Sequence, residues 1–573
     1  MANHQTPTDP VAVPSTPPSP PTATATPPES TFNEKEFNEK AVTDNVENTH
    51  KELNHLRSDN ESLISDTTLI AQREGIKPAF LAKVQVLNNA LAEIGMGRYQ
   101  YELFFSGGFG WFADNIWLQG VAIVMPAVAN EFKPYPHVRL ATLALYAGLI
   151  FGAAFWGCSA DIIGRRFAWN ATLVIGGVFG LCVGASPNFT VFCVFISLVG
   201  VGVGGNLPVD GTMFLEFLPG NKQYLLTLLS IWWAIGQVVA SLIAWGFISK
   251  YGCAEPPEGE FCSKESNMGW RYTYYTLGAM MMFLWAMRFF VMPVYESPKF
   301  LASKGKDTEA VEVIHKIAKR NGVTVNLTVQ DLRDAAAPYL TEAELNGEVD
   351  TKFTVWELFK NSFDEFKGEH VRALFCNRRI AFSTSLIVFC YATTGLAYPL
   401  YMAFLNTYFA TKNKELGIND IDSIYRSYTY QAACGVPGSI AAALMVDWSR
   451  TGRKVSMAAF TMGTGIFLFA LTAARTLPQV NALTSIAAFM ENGFYGVLFG
   501  YAPELFPTPS RGTGDALCAT AMRVTGIFAP VIAVYSNAAL TPNGPIYASA
   551  GIFCATAICM LFLPTETRGK TAL

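Results

Sequence analysis

Charge is what this sequence has least of. Only 15% of its 573 residues are Asp, Glu, Lys or Arg, against about 25% in ordinary soluble domains. A chain so poor in charge cannot cover itself with a water-facing surface, and a soluble globule is excluded. The net charge of −4 offers no basic face to a polyanion, so no nucleic-acid partner is expected. No G-x-x-x-x-G-K-[ST] phosphate loop is present, which excludes work driven by the chain's own ATP hydrolysis. The six histidines and eleven cysteines show no clustered metal-ligand spacing. Most cysteines sit singly in apolar runs, where they pack as small hydrophobes. A nucleophile elbow is missing too, so neither a metal, a cofactor nor an enzymatic activity is expected. The first residues lack the charged segment, apolar core and cleavage site of a signal peptide. Residues 200–205, GVGVGG, lie inside an apolar run rather than behind a soluble strand, so helix packing explains them better than dinucleotide binding.

What is present is apolar length. Hydrophobic residues make up 51% of the chain, with 42 Phe and 11 Trp, and spans of about 20 apolar residues recur. They fall near 102–127, 138–159, 167–186, 190–213, 224–249 and 271–294, then 380–409, 425–447, 455–475, 479–502, 512–539 and 545–563. The expected fold is an all-α membrane protein with twelve transmembrane helices in two six-helix bundles, 102–294 and 380–563. Residues 1–77 are expected to be a disordered cytoplasmic tail, rich in Pro, Thr, Ser and Ala at its start. Residues 78–101 show helical apolar spacing through Phe80, Leu81, Val84, Leu87, Leu91 and Ile94, which predicts an amphipathic helix along the membrane surface. Residues 295–379 predict a charged cytoplasmic loop with short helices, and 564–573 a short cytoplasmic tail.

The halves echo one another. The tight polar turn GCSADIIGRR at 157–166 is answered by DWSRTGRK at 447–454, with Asp161 and Asp447 286 residues apart. Glu216 of EFLPGNK is answered 288 residues on by Glu504 of ELFPTPSR, and Gly236 with Ala240 by Gly526 with Pro530 at an offset of 290. Three unrelated patterns at nearly one offset indicate a chain built twice from one hydrophobic template. Arg165, Arg166, Lys222, Arg450, Arg453, Lys454 and Arg511 share one side with both termini. The opposite side also carries lysines, and the basic central stretch is what tips that first side toward the cytoplasm. In the loop after the fifth span, Cys253 and Cys262 stand in a Pro/Gly/Glu setting and can close a disulfide in an oxidising compartment, or remain two free thiols.

An ionised side chain at mid-bilayer costs at least about 2.5–3.5 kcal/mol, so such residues face a cavity and usually have a task. Asp114, halfway along the first span, is the clearest; its counterpart at the 286-residue offset is Leu400. A carboxylate in a low-dielectric cavity can carry a proton, which makes Asp114 the candidate for proton coupling, with a structural charge as the alternative. Asn206 and Asp210, beside Pro208, either line a central cavity or belong to a kink. Glu491 with Asn492 is a weaker version of the same case. Arg523 either contacts an anionic solute or locks helices through an ion pair, the second reading being favoured. Gln237 must find a partner for its amide, and Trp117 and Tyr398 complete the candidate lining. Arg288, near the end of the sixth span, is expected to snorkel to the interface.

Several of these motifs resemble a known family, the major facilitator superfamily. GCSADIIGRR looks like its signature between helices two and three. PELFPTPSRGTG, YESPKFLASKGKDTEAVEVIHKIAKRNG and LPTETRGK look like the sugar-porter-related branch, which includes organic-ion transporters and synaptic-vesicle-protein-related proteins. GMGRYQYELFFSGGFGWFADN most resembles the last group and its bacterial nicotinate-transporter relatives, and the low-complexity tail resembles fungal members. The resemblance spans roughly residues 90–570. It implies alternating access around a central site, with Asp114 as the first-helix acid of proton-coupled relatives. Asp161, Arg165, Arg166, Glu216, Lys222, Asp447, Arg453, Glu504 and Arg511 would then form a gating network that holds the outward-open state. The paired glutamines of sugar porters are absent from ATTGLAYPLYMAF, so hexose transport is not expected.

The expectation is therefore a monomeric, multi-pass plasma-membrane symporter that couples protons to a small polar organic solute such as an organic acid. The alternatives are a passive facilitator of sugars or polyols, and a non-transporting membrane receptor or scaffold.

Overall fold

The structure, a computed structural model, describes residues 78–132, 140–163, 165–219, 222, 224–253, 261–292, 294–339, 374–375, 378–415, 421–448, 451–506, 511–535 and 543–564. The expected tail at 1–77, most of the central loop beyond 339 and the end after 564 lie outside the described residues.

Every described element is helical. The first half contains α1 (Pro78–Ile94), α2 (Arg98–Glu131), α3 (Leu140–Ile163), α4 (Arg165–Gly184), α5 (Phe189–Val203), α6 (Asn206–Glu216), α7 (Tyr224–Tyr251) and α8 (Gly269–Ala286). Short helices α9 (Pro298–Ser303), α10 (Asp307–Asn321) and α11 (Val329–Ala336) follow. The second half contains α12 (Arg378–Glu415), α13 (Ile421–Asp447), α14 (Gly452–Thr472), α15 (Leu477–Leu505), α16 (Arg511–Gly526), α17 (Phe528–Tyr535) and α18 (Gly544–Leu561). Eight of the spans are long and apolar enough to cross a membrane by themselves. The stretches formed by α3, α5 with α6, α13 and α15 complete twelve.

Two spans are broken, for local reasons. The fourth parts at Gly204 and Gly205, with Pro208 in the first turn of α6, where its missing N–H leaves no gap. The eleventh parts at Ile527, because Pro530 cannot donate back to Gly526. Such breaks free backbone carbonyls inside the bundle, and each must find a donor.

The halves meet along two seams. In one, α7 packs against α13 and α15; in the other, α3 packs against α16 and α17. Glycine makes the first seam tight: a Cβ at Gly500 would lie 2.6 Å from the Thr227 hydroxyl. On the side of the disulfide, Trp245 Nε1 donates to Asp422 Oδ1 at 2.6 Å and bridges the halves. Cys253 and Cys262 are bonded to each other.

Helix α1 does not spend its apolar stripe on a membrane surface. Leu87, Leu91 and Ile94 are buried, and the helix packs on α9, α10 and α11, with a 2.6 Å ion pair from Lys83 to Asp307. The central stretch supplies its own amphipathic partner in α10, whose Val311, Ile314 and Ile317 are buried. Gly95, at φ +67°, then turns the chain into α2. There Asn321 accepts from the Tyr99 backbone N–H at 2.9 Å, and Arg320 pairs with Glu102 at 2.6 Å.

Candidate functional site

A cavity lies between the seams, lined by residues of both halves. Helix α2 contributes Asp114 and Leu118, α3 contributes Tyr146 and Leu149, and α7 contributes Trp233. From the second half come Tyr398 on α12, Tyr495 and Phe499 on α15, and Met522 and Arg523 on α16.

Asp114 is only 2% exposed. Its Oδ2 accepts from Trp233 Nε1 at 3.4 Å, while Oδ1 has no partner. Arg523 shares the cavity wall, yet no ion pair joins the two within 4.0 Å. The guanidinium is held instead by backbone: Nη1 donates to the carbonyls of Leu149 at 3.0 Å and Gly204 at 2.5 Å. Gly204 O is free because α5 ends there, and a cation at a helix C-terminus is favourable. The broken fourth span of one half therefore anchors the arginine of the other.

The wall between these charges is aromatic. Trp233 meets Tyr495 edge-on at 5.1 Å and Phe499 at 5.8 Å, and Tyr398 meets Tyr495 at 5.6 Å. Behind it Gln237 donates to the Tyr398 hydroxyl at 3.2 Å and accepts from Asn492 at 3.4 Å. Glu491, next along α15, is 3% exposed. Among the described residues it has no ion-pair partner.

Other predicted residues lie elsewhere. Asp210 does not line this cavity: its Oδ2 pairs at 3.0 Å with Arg288, both side chains fully buried. Arg288 does not snorkel. It also donates to the carbonyls of Ser106 and Trp169 and stacks 4.2 Å from the Trp169 ring centre. A π-helical turn, Met287–Val291, turns Arg288 inward while Phe289 and Phe290 stay exposed, and Gly110 leaves room for the Asp210 carboxylate. Asn206 donates to Gly110 O at 3.3 Å beside this pair. Trp117 is buried within the first half, stacked 6.0 Å from Tyr274. Tyr146, Tyr495, Phe499 and Asn115, whose amide donates to Trp233 O at 2.8 Å, escaped the sequence analysis. Tyr495 and Phe499 follow Glu491 at i+4 and i+8, a spacing that puts all three on one helix face.

At the face carrying the polar turns, Arg165 pairs with Glu216 and Arg453 with Glu504. Members of the two pairs are 288 residues apart, and each pair is internal to its own half. Glu296 accepts from the Arg165 and Arg166 backbone N–H groups at 3.1 and 3.2 Å, a carboxylate at a helix N-terminus. Lys222 lies 5.9 Å from the Tyr224 ring centre, and Asp447 is exposed at the end of α13. The side chains of Asp161 and Arg511 lie outside the described ones.

Two six-helix halves around one membrane-buried cavity define a polytopic transporter. The profile of the Major Facilitator Superfamily matches residues 103–450, and the chain belongs to that superfamily. It is 42% identical to the "MFS siderochrome iron transporter 1" of Ceriporiopsis subvermispora over 89% of this chain and 95% of that one. It is 37% identical to the "Major facilitator-type transporter hxnZ" of Emericella nidulans, over 86% of this chain and 89% of that one. Among solved structures, the proton:xylose symporter XylE bound to a halogenated sugar aligns with a TM-score of 0.61 at 17% identity, over 83% of this chain and 98% of that one. The chain is a membrane transporter, and the family is one of transporters rather than enzymes.

Proposed function

We propose that the protein is a proton-coupled symporter of a small polar organic solute, an organic acid or similar, working by alternating access as a monomer in the plasma membrane with both termini cytoplasmic. Asp114 supports this reading most directly. It is a buried acid on the cavity wall with, among the described residues, one unpartnered oxygen and no counter-ion within pairing distance. A proton on that oxygen changes the cavity's charge without changing its shape, so proton loading and solute binding can be coupled there. Arg165 with Glu216 and Arg453 with Glu504, together with Asp161, Arg166, Lys222, Asp447 and Arg511, are proposed as the gating charges that rearrange as the halves rock.

The test uses proteoliposomes with an inward proton gradient, screened with organic acids, nicotinate-like compounds, sugars and, because of the relative named for it, a ferric siderochrome. Gradient-driven accumulation that Asp114→Asn abolishes, with exchange of the same solute preserved, is the expected result. Uptake indifferent to both the gradient and Asp114 would contradict it and indicate a facilitator.

A further inference from the structure

Inside the first half a strip of buried polar atoms runs from the cavity toward the face of the polar turns. Ser106, Gly110 and Asp114 follow one another at i+4 on α2, so they share one helix face. Asn206 and Asp210 do the same on α6, and the two rows touch. Asn206 donates to Gly110 O at 3.3 Å, and a Cβ at Gly110 would collide with the Asp210 carboxylate. Arg288 closes the far end, pairing with Asp210 at 3.0 Å and donating to the carbonyls of Ser106 and Trp169 at 2.6 Å each. At the near end Leu207, beside Asn206, lines the cavity together with Asp114. Trp169 stands four residues after Arg165, where α4 begins, so the far end lies about 6 Å of helix rise below that face.

Four oxygens along the strip have no partner among the described residues: Asp114 Oδ1, Asn206 Oδ1, Asp210 Oδ1 and Ser106 Oγ. Their side chains are at most 2% exposed. Lipid cannot serve a buried oxygen, and water commonly does. The Arg288 pair explains Asp210 Oδ2; it does not explain a line of leftover oxygens on either side of it. We propose that the strip is a water-filled proton path, along which the proton carried by Asp114 leaves for the face of the polar turns without crossing the solute cavity. This rests on the symport reading. A water at Asp114 Oδ1 takes that proton and gives up one of its own to the next water, past Asn206 and Asp210 to Ser106. Each water thus gains one proton and loses one, and a single proton is passed on. The cavity is the poorer route. There Asp114 faces the Trp233 indole, the Tyr146, Tyr398 and Tyr495 hydroxyls, and Arg523, whose fixed positive charge opposes a passing proton.

Two arms test the path, and the first needs no solute. Cysteine is placed at Ser106 and, as dry controls, at Ala113 and Ala168, which are 0% and 1% exposed. The protein is held in lipid nanodiscs and treated with silver ion, a water-borne cation that reacts with thiolate. Protection of each thiol from a maleimide added after unfolding is read by mass spectrometry. Ser106→Cys is expected to react at least tenfold faster than Ala113→Cys and Ala168→Cys. A rate no higher than the controls' overturns the inference. The second arm uses the proteoliposomes of the symport test. Asn206→Leu keeps the side chain's size and plugs the path with apolar atoms, so gradient-driven accumulation should fall at least tenfold while exchange of the same solute persists. Asn206→Ser, which restores an oxygen, should keep the coupling. Melting temperatures check that both variants fold; if Asn206→Leu does not, the silver arm decides alone. Full coupling in folded Asn206→Leu overturns this inference and leaves symport standing. A wild type that ignores the gradient overturns the symport reading itself.

Discussion

The two halves share one ion pair and, Asp114 apart, differ in how they treat their remaining buried charges. Arg165 with Glu216 and Arg453 with Glu504 are the same device twice. Deeper in the first half, Asp210 is locked to Arg288, and Arg271 to Glu131, each arginine also donating to backbone carbonyls. Deeper in the second half, Glu491 and Arg523 have no ionic partners among the described residues. At the 288-residue offset the counterpart of Glu491 is Val203, buried in the first half's core. Leu400, which stands 286 residues after Asp114, packs with Phe404 and Ala529. Duplication thus explains the frame, whereas the charges that broke the symmetry divide into paired ones that hold helices together and unpaired ones at the cavity or behind its wall.

The sharpest way to break the comparison is at the paired charges. Arg288→Met strands Asp210 in the bundle and is expected to cost about 3–5 kcal/mol, read as a collapse in recovery of folded protein. Adding Asp210→Asn should restore most of it, because no buried charge is then left alone. Neutralising an unpaired charge should act differently. Asp114→Asn is expected to lower gradient-driven accumulation at least tenfold while leaving exchange and the melting temperature nearly unchanged. At the seam, Gly500→Ala pushes a methyl against Thr227 and should cost about 1–3 kcal/mol, measured as a lower midpoint of thermal unfolding. The repeated pairs are compared directly: Arg165→Ala, whose pair is partly exposed, should cost on the order of 1 kcal/mol and Arg453→Ala, whose pair is buried, more, with transport altered in the same direction. Opposite effects would mean the shared device does different work in the two halves.

Much of the frame was legible because its causes are local. Apolar length marks a span, Pro530 marks a break, and the polar turns repeat at one offset whatever surrounds them. Asp114 was legible for a related reason, since an acid in an apolar run is conspicuous at any register. The fate of Asp210 and Arg288 was not, because pairing across 78 residues depends on a π-helical turn and on Gly110 leaving room. Nothing in the local sequence separates a paired buried charge from an unpaired one. The same blindness affects α1: its apolar stripe fits a membrane surface or another helix equally well, and the partner lies more than 200 residues away in α10. Tyr495 and Phe499 were within reach, had the face of α15 been followed two turns on from Glu491.

One measurement bears on the division between paired and unpaired charges without needing a known solute. It is the thermal unfolding of the solute-free protein with each buried charge neutralised in turn. Asp210→Asn and Arg288→Met should lower the midpoint sharply, whereas Asp114→Asn and Glu491→Gln should leave it unchanged or raise it. A sharp loss at Asp114 or Glu491 would show that these charges hold the fold together, and would contradict that division.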